Sequence, residues 1–157
     1  MILDLRDVVG VNGLSKPFDY SPDLSRALDD KYTAVVGIAR AVGKIRNSAG
    51  ALSMTALLTA ELSAVCARCL RNFTQTVEYE FCADLSGSEN ARDDPELYFV
   101  GDGFLDLDDV IVTELVLNVL DNPICRPDCP GLCQTCGADL NAAACGCRTQ
   151  TDPRLAV

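Results

Sequence analysis

The sequence predicts an α+β fold that is mostly β: an antiparallel meander, open or barrel-like, with one main helix and a small C-terminal zinc-bound, cysteine-rich module. Two long segments alternate apolar and polar residues with a period of two, which is typical of half-buried antiparallel strands. An acidic segment after them has apolar residues at helical spacing. Six of the nine cysteines lie between Cys125 and Cys147, in a stretch too poor in large apolar residues to build a core.

Three long strands predict the meander. Residues 33–46 form the first strand and turn back at residues 47–50. Residues 51–65 and 73–85 each place their apolar side chains on one face. These side chains are Leu52, Met54, Ala56, Leu58, Ala60, Leu62 and Ala64 in the second strand, and Phe73, Val77, Tyr79, Phe81, Ala83 and Leu85 in the third. Shorter strands are expected at residues 1–9, 97–100 and 104–105, with mostly loop across 10–30.

Residues 106–120 predict the main helix. Asp106 or Asp108 can cap its N-terminus, and further acidic residues lie at the positive end of the helix dipole. Apolar residues recur at helical spacing, at Leu107, Ile111, Leu115 and Val119. We therefore expect a β-rich domain over residues 1–121 and a cysteine-rich, zinc-binding tail over residues 122–157 that packs on it.

Charge and composition narrow the function classes. The chain of 157 residues carries a net charge of −10 and contains no histidine. Nucleic-acid affinity rests mainly on lysine and arginine, so a basic protein is a better-matched partner than a phosphate backbone. The lack of histidine excludes histidine-based catalytic triads and histidine metal ligands. We predict that the protein is not an enzyme and has no small-molecule substrate.

The N-terminus and the apolar runs indicate a cytoplasmic protein without a membrane span. Residues 1–7 lack the basic start and the unbroken apolar run of a signal peptide. No apolar run approaches the ~20 residues that a membrane span needs. Because cytoplasmic thiols stay reduced, paired cysteines there indicate metal or redox chemistry more than structural disulfides.

The last four cysteines form the first predicted zinc site. Cys133 and Cys136 are spaced as in a zinc knuckle, and the glycine after them can adopt a positive φ that points backbone N–H groups at the thiolates. Cys145 and Cys147 follow eight residues later. Four thiolates suit the tetrahedral coordination of Zn²⁺. We expect a closed, structural site.

A second zinc site is predicted from the remaining pairs. Cys66 and Cys69 lie between two long strands, where a hairpin turn is required, and a knuckle is itself a tight turn. Cys125 and Cys129 can complete the tetrahedron and staple the tail onto the sheet. The four pairs can combine into two sites in three ways, and the sequence leaves the choice open. It also leaves open a single zinc ion, with Cys66 and Cys69 as a reduced pair.

Two further uses of cysteine are weighed. Cys82 alternates with acidic residues, which disfavour its thiolate, so we expect a small filler covered by another element. Cys66 and Cys69 could instead be a thiol redox pair. Thioredoxin-like sites place such a pair at a helix N-terminus, whereas strands flank this one, which argues against redox chemistry.

With these residues in view, the chain resembles the bacterial YceD-like family of large ribosomal RNA subunit accumulation proteins. The resemblance is carried by residues 66–73 after an alternating strand, by residues 105–111 with Glu114, by the run from Asn122 to Asn141, and by residues 152–156. The C-terminal cysteine cluster belongs to a subset of the family. The resemblance implies a role in the accumulation of large-subunit (23S) ribosomal RNA, hence in ribosome biogenesis, and brings no catalytic residues.

Two binding modes follow from this reading. An acidic, non-enzymatic assembly factor would bind a basic ribosomal protein or a pre-large-subunit particle. The alternative is a zinc-ribbon protein that binds RNA directly through a local basic patch. Candidate residues for that patch are Arg40, Lys44 and Arg46 on the first long strand and Arg68 and Arg71 at the hairpin.

Overall fold

The computed structural model describes residues 1–24, 33–118 and 122–147 and confirms a mostly β fold with one main helix. The chain forms two compact units. The first comprises Met1–Ser63 and Gln75–Val119, and the second comprises Ala64–Thr74 and Leu120–Val157. The hairpin between the second and third long strands is therefore part of the same unit as the cysteine-rich tail. The division into domains at residues 121 and 122 stays a prediction.

A five-stranded sheet dominates the first unit. Its strand order is β2-β3-β4-β5-β6, and a separate two-stranded sheet pairs β1 with β7. The described strands leave β2 and β6 as edges, so this sheet is open and not barrel-like. The elements are β1 (Ile2–Asp4), α1 (Arg6–Val9), β2 (Ser15–Tyr20), β3 (Thr33–Ser48), β4 (Ala51–Val65), β5 (Asn72–Ser86), a 3₁₀ turn (Glu89–Arg92), β6 (Leu97–Phe99), β7 (Phe104–Asp106) and α2 (Leu107–Asn118).

The turn between β3 and β4 has two consecutive residues in the left-handed region. Ala49 has φ of 53° and Gly50 has φ of 92°. Positive φ at both central residues is the pattern of the hairpin turn that matches the right-handed twist of paired strands. The side-chain oxygen of Asn47 accepts the Gly50 N–H at 2.9 Å. The predicted turn at residues 47–50 is confirmed, and its tightness makes β3 and β4 antiparallel neighbours.

The alternation of β4 is confirmed by burial. The even-numbered residues from Leu52 to Ala64 are all buried, with Met54 and Leu58 fully so. In β5 the residues Phe81, Ala83 and Leu85 are buried, whereas the acidic residues between them and before them are exposed. One face of the sheet therefore forms the core of the first unit, and the other face is presented to solvent.

The prediction for the N-terminal region was wrong in two places. The expected strand over residues 1–9 ends at Asp4, and a helical turn follows because Leu5 and Val8, spaced as on a helix, are both fully buried. Part of the expected loop over residues 10–30 is strand β2, which pairs antiparallel with β3. Pro17 lies within β2, which is an edge strand, where the missing N–H of proline is tolerated.

The two short strands after β5 were correctly predicted but join different sheets. β6 runs parallel to β5, with Asp84 paired to Leu97. The edge strand β6 is therefore not part of the antiparallel meander. β7 pairs antiparallel with β1. Asp102 and Gly103, both at positive φ, form the turn that separates them.

Helix α2 carries the predicted cap and apolar face. The Asp106 side chain accepts the Asp108 N–H at 3.1 Å, as an N-cap residue does. The buried side chains are Leu107, Val110, Ile111 and Leu115, and the predicted Val119 lies outside the described residues. Two tyrosines hold the acidic side chains of this helix: Tyr20 donates to Asp108 at 2.7 Å and Tyr98 donates to Glu114 at 2.9 Å.

Within the described ranges, no helix has the length and apolar character needed to cross a membrane.

Two adjacent leucines of β4 test this assignment of faces. Leu58 is fully buried, whereas Leu57 is on the opposite, partly exposed face. We expect Leu58→Ala to lower the free energy of unfolding by about 2–5 kcal/mol because it leaves a cavity. Leu57→Ala removes the same atoms from a partly solvated position and should cost clearly less. Chemical denaturation of both variants makes the comparison, and equal losses would contradict the assignment.

Candidate metal centre

Eight of the nine cysteines gather into two groups of four within the second unit. One group is Cys66, Cys69, Cys125 and Cys129, and the other is Cys133, Cys136, Cys145 and Cys147. In each group all sulfur atoms lie within 4.8 Å of one another. We call them the hairpin tetrad and the tail tetrad. Of the three pairings that the sequence leaves open, the structure adopts the one that joins the hairpin to Cys125 and Cys129.

The hairpin tetrad has the size of a tetrahedral metal site. A metal ion bonded to sulfurs at about 2.3 Å separates those sulfurs by about 3.8 Å. The Sγ atoms of Cys69 and Cys125 are 3.8 Å apart, and those of Cys66 and Cys129 are 4.0 Å apart. Cys66, Cys69 and Cys129 are almost fully buried. Four soft thiolate donors at these distances fit Zn²⁺ or another thiophilic ion.

Both knuckles are built by the same hydrogen bonds. At the hairpin, the Leu70 N–H donates to the Cys66 carbonyl and the Cys66 N–H donates to the Arg71 carbonyl, each at 2.9 Å. At the tail, the Gly137 N–H donates to the Cys133 carbonyl and the Cys133 N–H donates to the Ala138 carbonyl, each at 2.8 Å. The residue after the second cysteine has positive φ in both: 59° at Leu70 and 75° at Gly137.

The tail is attached to the hairpin by backbone contacts around the hairpin tetrad. The Ala67 N–H donates to the Pro123 carbonyl at 2.8 Å, and the Leu132 N–H donates to the Arg68 carbonyl at 3.0 Å. The Arg68 guanidinium donates in turn to the carbonyls of Pro127 and Cys129. These bonds bring two segments that are far apart in sequence to the distance at which their cysteines meet.

The thiols of the hairpin tetrad differ in acidity. Burial raises the pKa of Cys66, but the backbone N–H groups of Cys125, Cys69 and Arg68 outweigh it and lower that pKa to about 6. Burial and the neighbouring sulfurs, Cys66 first among them, raise the pKa of Cys125 to about 12. Cys66 therefore ionises readily, and its thiolate disfavours ionisation of Cys125. A bound cation would offset this repulsion between thiolates, because it would stabilise all four negative charges together.

The tail tetrad shows the same contrast with less burial. Backbone N–H groups of Cys136 and Thr135 lower the pKa of Cys133 to about 6. The neighbouring Cys136 sulfur, followed by burial, raises the pKa of Cys147 to about 12. Cys136 and Cys147 are exposed, while Cys133 and Cys145 are partly buried. The donor set and the spacing again fit a single thiophilic ion.

Most of the basic residues named as RNA-binding candidates have partners within the chain. Arg40 pairs with Asp19, at 2.9 Å between Nε and Oδ1. Arg71 pairs with Asp139 at 3.2 Å. A hydrogen bond to the Cys69 sulfur, followed by the charge of Asp139, raises the pKa of Arg71. Arg68 is bound to carbonyls as described above. Lys44 and Arg46 are exposed on β3 and have no ion pair among the described residues.

Cys82 is the one cysteine outside both tetrads. It was expected to be covered by another element, and that expectation was wrong: the side chain is exposed on β5. The period of two places it on the solvent face with Glu80 and Asp84, and that face is open at this position. Cys66 and Cys69, considered as a redox pair, are instead buried and joined to a second pair.

Two features of the site escaped sequence reasoning. Leu70 has a left-handed backbone at the position where the tail knuckle has Gly137, and a leucine gives no indication of positive φ. Asn141 donates a hydrogen bond from Nδ2 to the Cys129 sulfur at 3.5 Å. Asn141 lies in the run that carries the family resemblance, but nothing in the sequence pairs it with Cys129, and only the fold brings the two side chains together.

Comparison with protein families decides the affiliation of the chain. The family described as large ribosomal RNA subunit accumulation protein YceD matches residues 54–157. The chain belongs to the YceD family. The matched range contains most of β4, all of β5 and helix α2, and all eight tetrad cysteines, so the resemblance noted from the sequence is confirmed. Its closing part, residues 152–156, lies outside the described residues.

The curated relatives of this YceD-family chain are uncharacterized mycobacterial proteins. Rv2926c of Mycobacterium tuberculosis and Mb2951c of Mycobacterium bovis are each 35% identical over 107 residues, which cover 66% of this chain and 52% of the relative. ML1660 of Mycobacterium leprae is 31% identical over 87 residues, covering 53% of this chain and 40% of the relative. The chain thus spans about half the length of the first two. No solved structure matches it.

The two knuckles supply a reciprocal test of their backbone. Leu70 is 62% exposed, so Leu70→Gly relieves a left-handed position and removes little packing. We expect it to raise the free energy of unfolding of the protein by up to about 1–2 kcal/mol. Gly137→Ala meets no atom within 4 Å but introduces the same backbone strain, so it should lower stability by a similar amount. Thermal unfolding of both variants checks the signs, and a loss of stability in Leu70→Gly would contradict the knuckle geometry.

Proposed function

We propose that this YceD-family protein is a non-enzymatic ribosome-biogenesis factor that supports the accumulation or processing of large-subunit (23S) ribosomal RNA. The family match over residues 54–157 is the observation that carries the proposal. The chain would act by binding a basic ribosomal protein or a pre-large-subunit particle. It would have no small-molecule substrate.

Zinc has a structural part in this proposal. Cys66, Cys69, Cys125 and Cys129 would hold one ion, and Cys133, Cys136, Cys145 and Cys147 a second. Zn²⁺ with four protein thiolates has no open coordination position, and so supplies folding energy rather than Lewis-acid chemistry. The near-ideal sulfur spacing of the hairpin tetrad supports this assignment. Reduced thiolate sites also suit a cytoplasmic location, which is part of the proposal.

The distribution of charge supports a basic partner. The first unit has 19 acidic and 8 basic residues, a formal charge of −11, whereas the second has 4 acidic and 5 basic residues, a formal charge of +1 before any thiol ionises. On the exposed face of β5, Glu78, Glu80 and Asp84 point to solvent together. We call these three residues the acidic row. Complementary charge of this kind directs association and makes it sensitive to salt.

Direct RNA binding is the second candidate. Lys44 and Arg46 favour it, because both are exposed on β3 and lack an ion pair among the described residues. The intramolecular bonds of Arg40, Arg68 and Arg71 weaken it, because a phosphate would have to compete with those partners. A titration of ribosomal RNA with the Lys44→Glu, Arg46→Glu variant separates the two candidates, since only RNA contact through this pair predicts a loss of RNA affinity.

A capture experiment tests the first candidate. Tagged protein is incubated with cell lysate at low salt, and bound large-subunit proteins and 23S precursor RNA are quantified. We expect capture to fall at least tenfold in the Glu78→Gln, Glu80→Gln, Asp84→Asn variant. The control variant Asp93→Asn, Asp94→Asn, Glu96→Gln removes the same charge from another part of the first unit and should retain capture. Absence of large-subunit components from the wild-type sample would count against the function.

A further inference from the structure

The loop between the two cysteine pairs of the tail tetrad reaches the other tetrad. It lies between Cys136 and Cys145, and near its middle Asn141 donates from Nδ2 to the Cys129 sulfur at 3.5 Å. Asp139 fixes this amide, because its Oδ1 accepts both the Asn141 Nδ2 at 2.7 Å and the Asn141 backbone N–H at 2.8 Å. A residue of one tetrad's loop thus contacts a ligand of the other tetrad.

The backbone of this loop is joined to the segment that follows Cys129. The Leu140 N–H donates to the Gly131 carbonyl at 3.0 Å, and Asp139 forms a β-bridge with Leu132. Gly131 has φ of 75°, and a Cβ there would lie 2.8 Å from the Arg68 carbonyl oxygen in the hairpin. The Gly131 segment therefore joins the loop to the hairpin, and it approaches the Arg68 carbonyl too closely for a side chain. A shift of the loop would be transmitted to the hairpin tetrad.

Two arginines complete the connection. Arg71, beside Cys69 and Cys125, pairs with Asp139 at 3.2 Å. Arg126, next to Cys125 in sequence, donates to the Asn141 side-chain oxygen at 2.7 Å. A metal with four thiolates carries a charge of about −2 and gains from N–H donors and cations around its sulfurs. Asp139 and Asn141 hold such groups in place around the hairpin tetrad.

We propose that Asp139 and Asn141 couple the two tetrads, so that a metal ion in the tail tetrad raises the metal affinity of the hairpin tetrad. The ion at Cys136 and Cys145 fixes both ends of the loop, and the fixed loop places Asn141 against Cys129. By thermodynamic linkage the effect is mutual: a metal ion at the hairpin raises the affinity of the tail equally. Asn141 is a positioning residue, which acts through Cys129. This inference rests on the proposal that both tetrads bind metal.

Co²⁺ is a suitable probe, because its absorption reports tetrahedral thiolate coordination. Metal-free, reduced full-length protein is titrated with Co²⁺. We expect Asn141→Ala to weaken the hairpin tetrad about tenfold, the lower end of the loss found when a group supporting a metal ligand is removed. The Cys133→Ser, Cys136→Ser variant, which disables the tail tetrad, should weaken the hairpin tetrad by a similar factor. Gln134→Ala removes an exposed amide of the same tail and serves as the matched control.

The combination of the two changes isolates the path of coupling. With Asn141→Ala already present, disabling the tail tetrad should cost the hairpin tetrad little more, because the connection has been removed. Native mass spectrometry of unsubstituted protein at half-saturating Co²⁺ gives a readout that needs no cysteine variant. We expect few chains with one ion in the wild type and more of them in Asn141→Ala.

Four results would be decisive. An unchanged hairpin affinity after the tail tetrad is disabled would overturn the coupling, as would equal proportions of one-ion chains in wild type and Asn141→Ala. Full additivity of the two changes would overturn the role of Asn141 as the connection. A wild-type titration without any cobalt–thiolate absorption would instead refute metal binding itself, and so it distinguishes the failure of the two proposals.

Discussion

The mutual repulsion of clustered thiolates is the constraint on which the second unit depends. Its buried cluster consists of Cys66, Cys69 and Cys129, with Phe73, Ile124 and Cys125 packed against it. Apart from two apolar side chains, this cluster consists of cysteines. Protonated cysteines contribute little hydrophobic stabilisation, and ionised cysteines repel one another. A cation bound by four sulfurs would remove this repulsion and would stabilise the contact between the hairpin and the tail.

The first unit is stabilised in a more ordinary way. Alternation along β3, β4 and β5 produces one apolar face, and α2 contributes four buried side chains to the same core. What distinguishes this unit is its outer surface, where the acidic row and most of the chain's negative charge lie. The two units therefore differ in kind: the first has a hydrophobic core and an acidic surface, and the second is built around the two cysteine tetrads.

Sequence reasoning predicted what strict periodicity and spacing encode. Period two predicted the faces of β4 and β5, and the density of cysteines identified eight ligand candidates, although the sequence left open how their pairs combine. It failed where tertiary context overrides local rules. β2 contains Pro17, which is tolerated in this strand because β2 is at the edge of the sheet. Leu70 has a left-handed backbone conformation that its residue type did not indicate. Asn141 and Asp139 lie in the run that carries the family resemblance, but the sequence assigned them no contact, because only the fold brings them to Cys129 and Arg71.

The number of metal ions bound per chain tests the central claim most directly. Elemental analysis of protein purified under reducing conditions should give two zinc ions per chain. The Cys82→Ser variant, which changes the single cysteine outside the tetrads, should also give two. Replacing Cys66 and Cys69 by serine should remove at least one. A wild-type chain that holds no tightly bound metal, or a Cys66→Ser, Cys69→Ser variant that still holds two ions, would contradict the account.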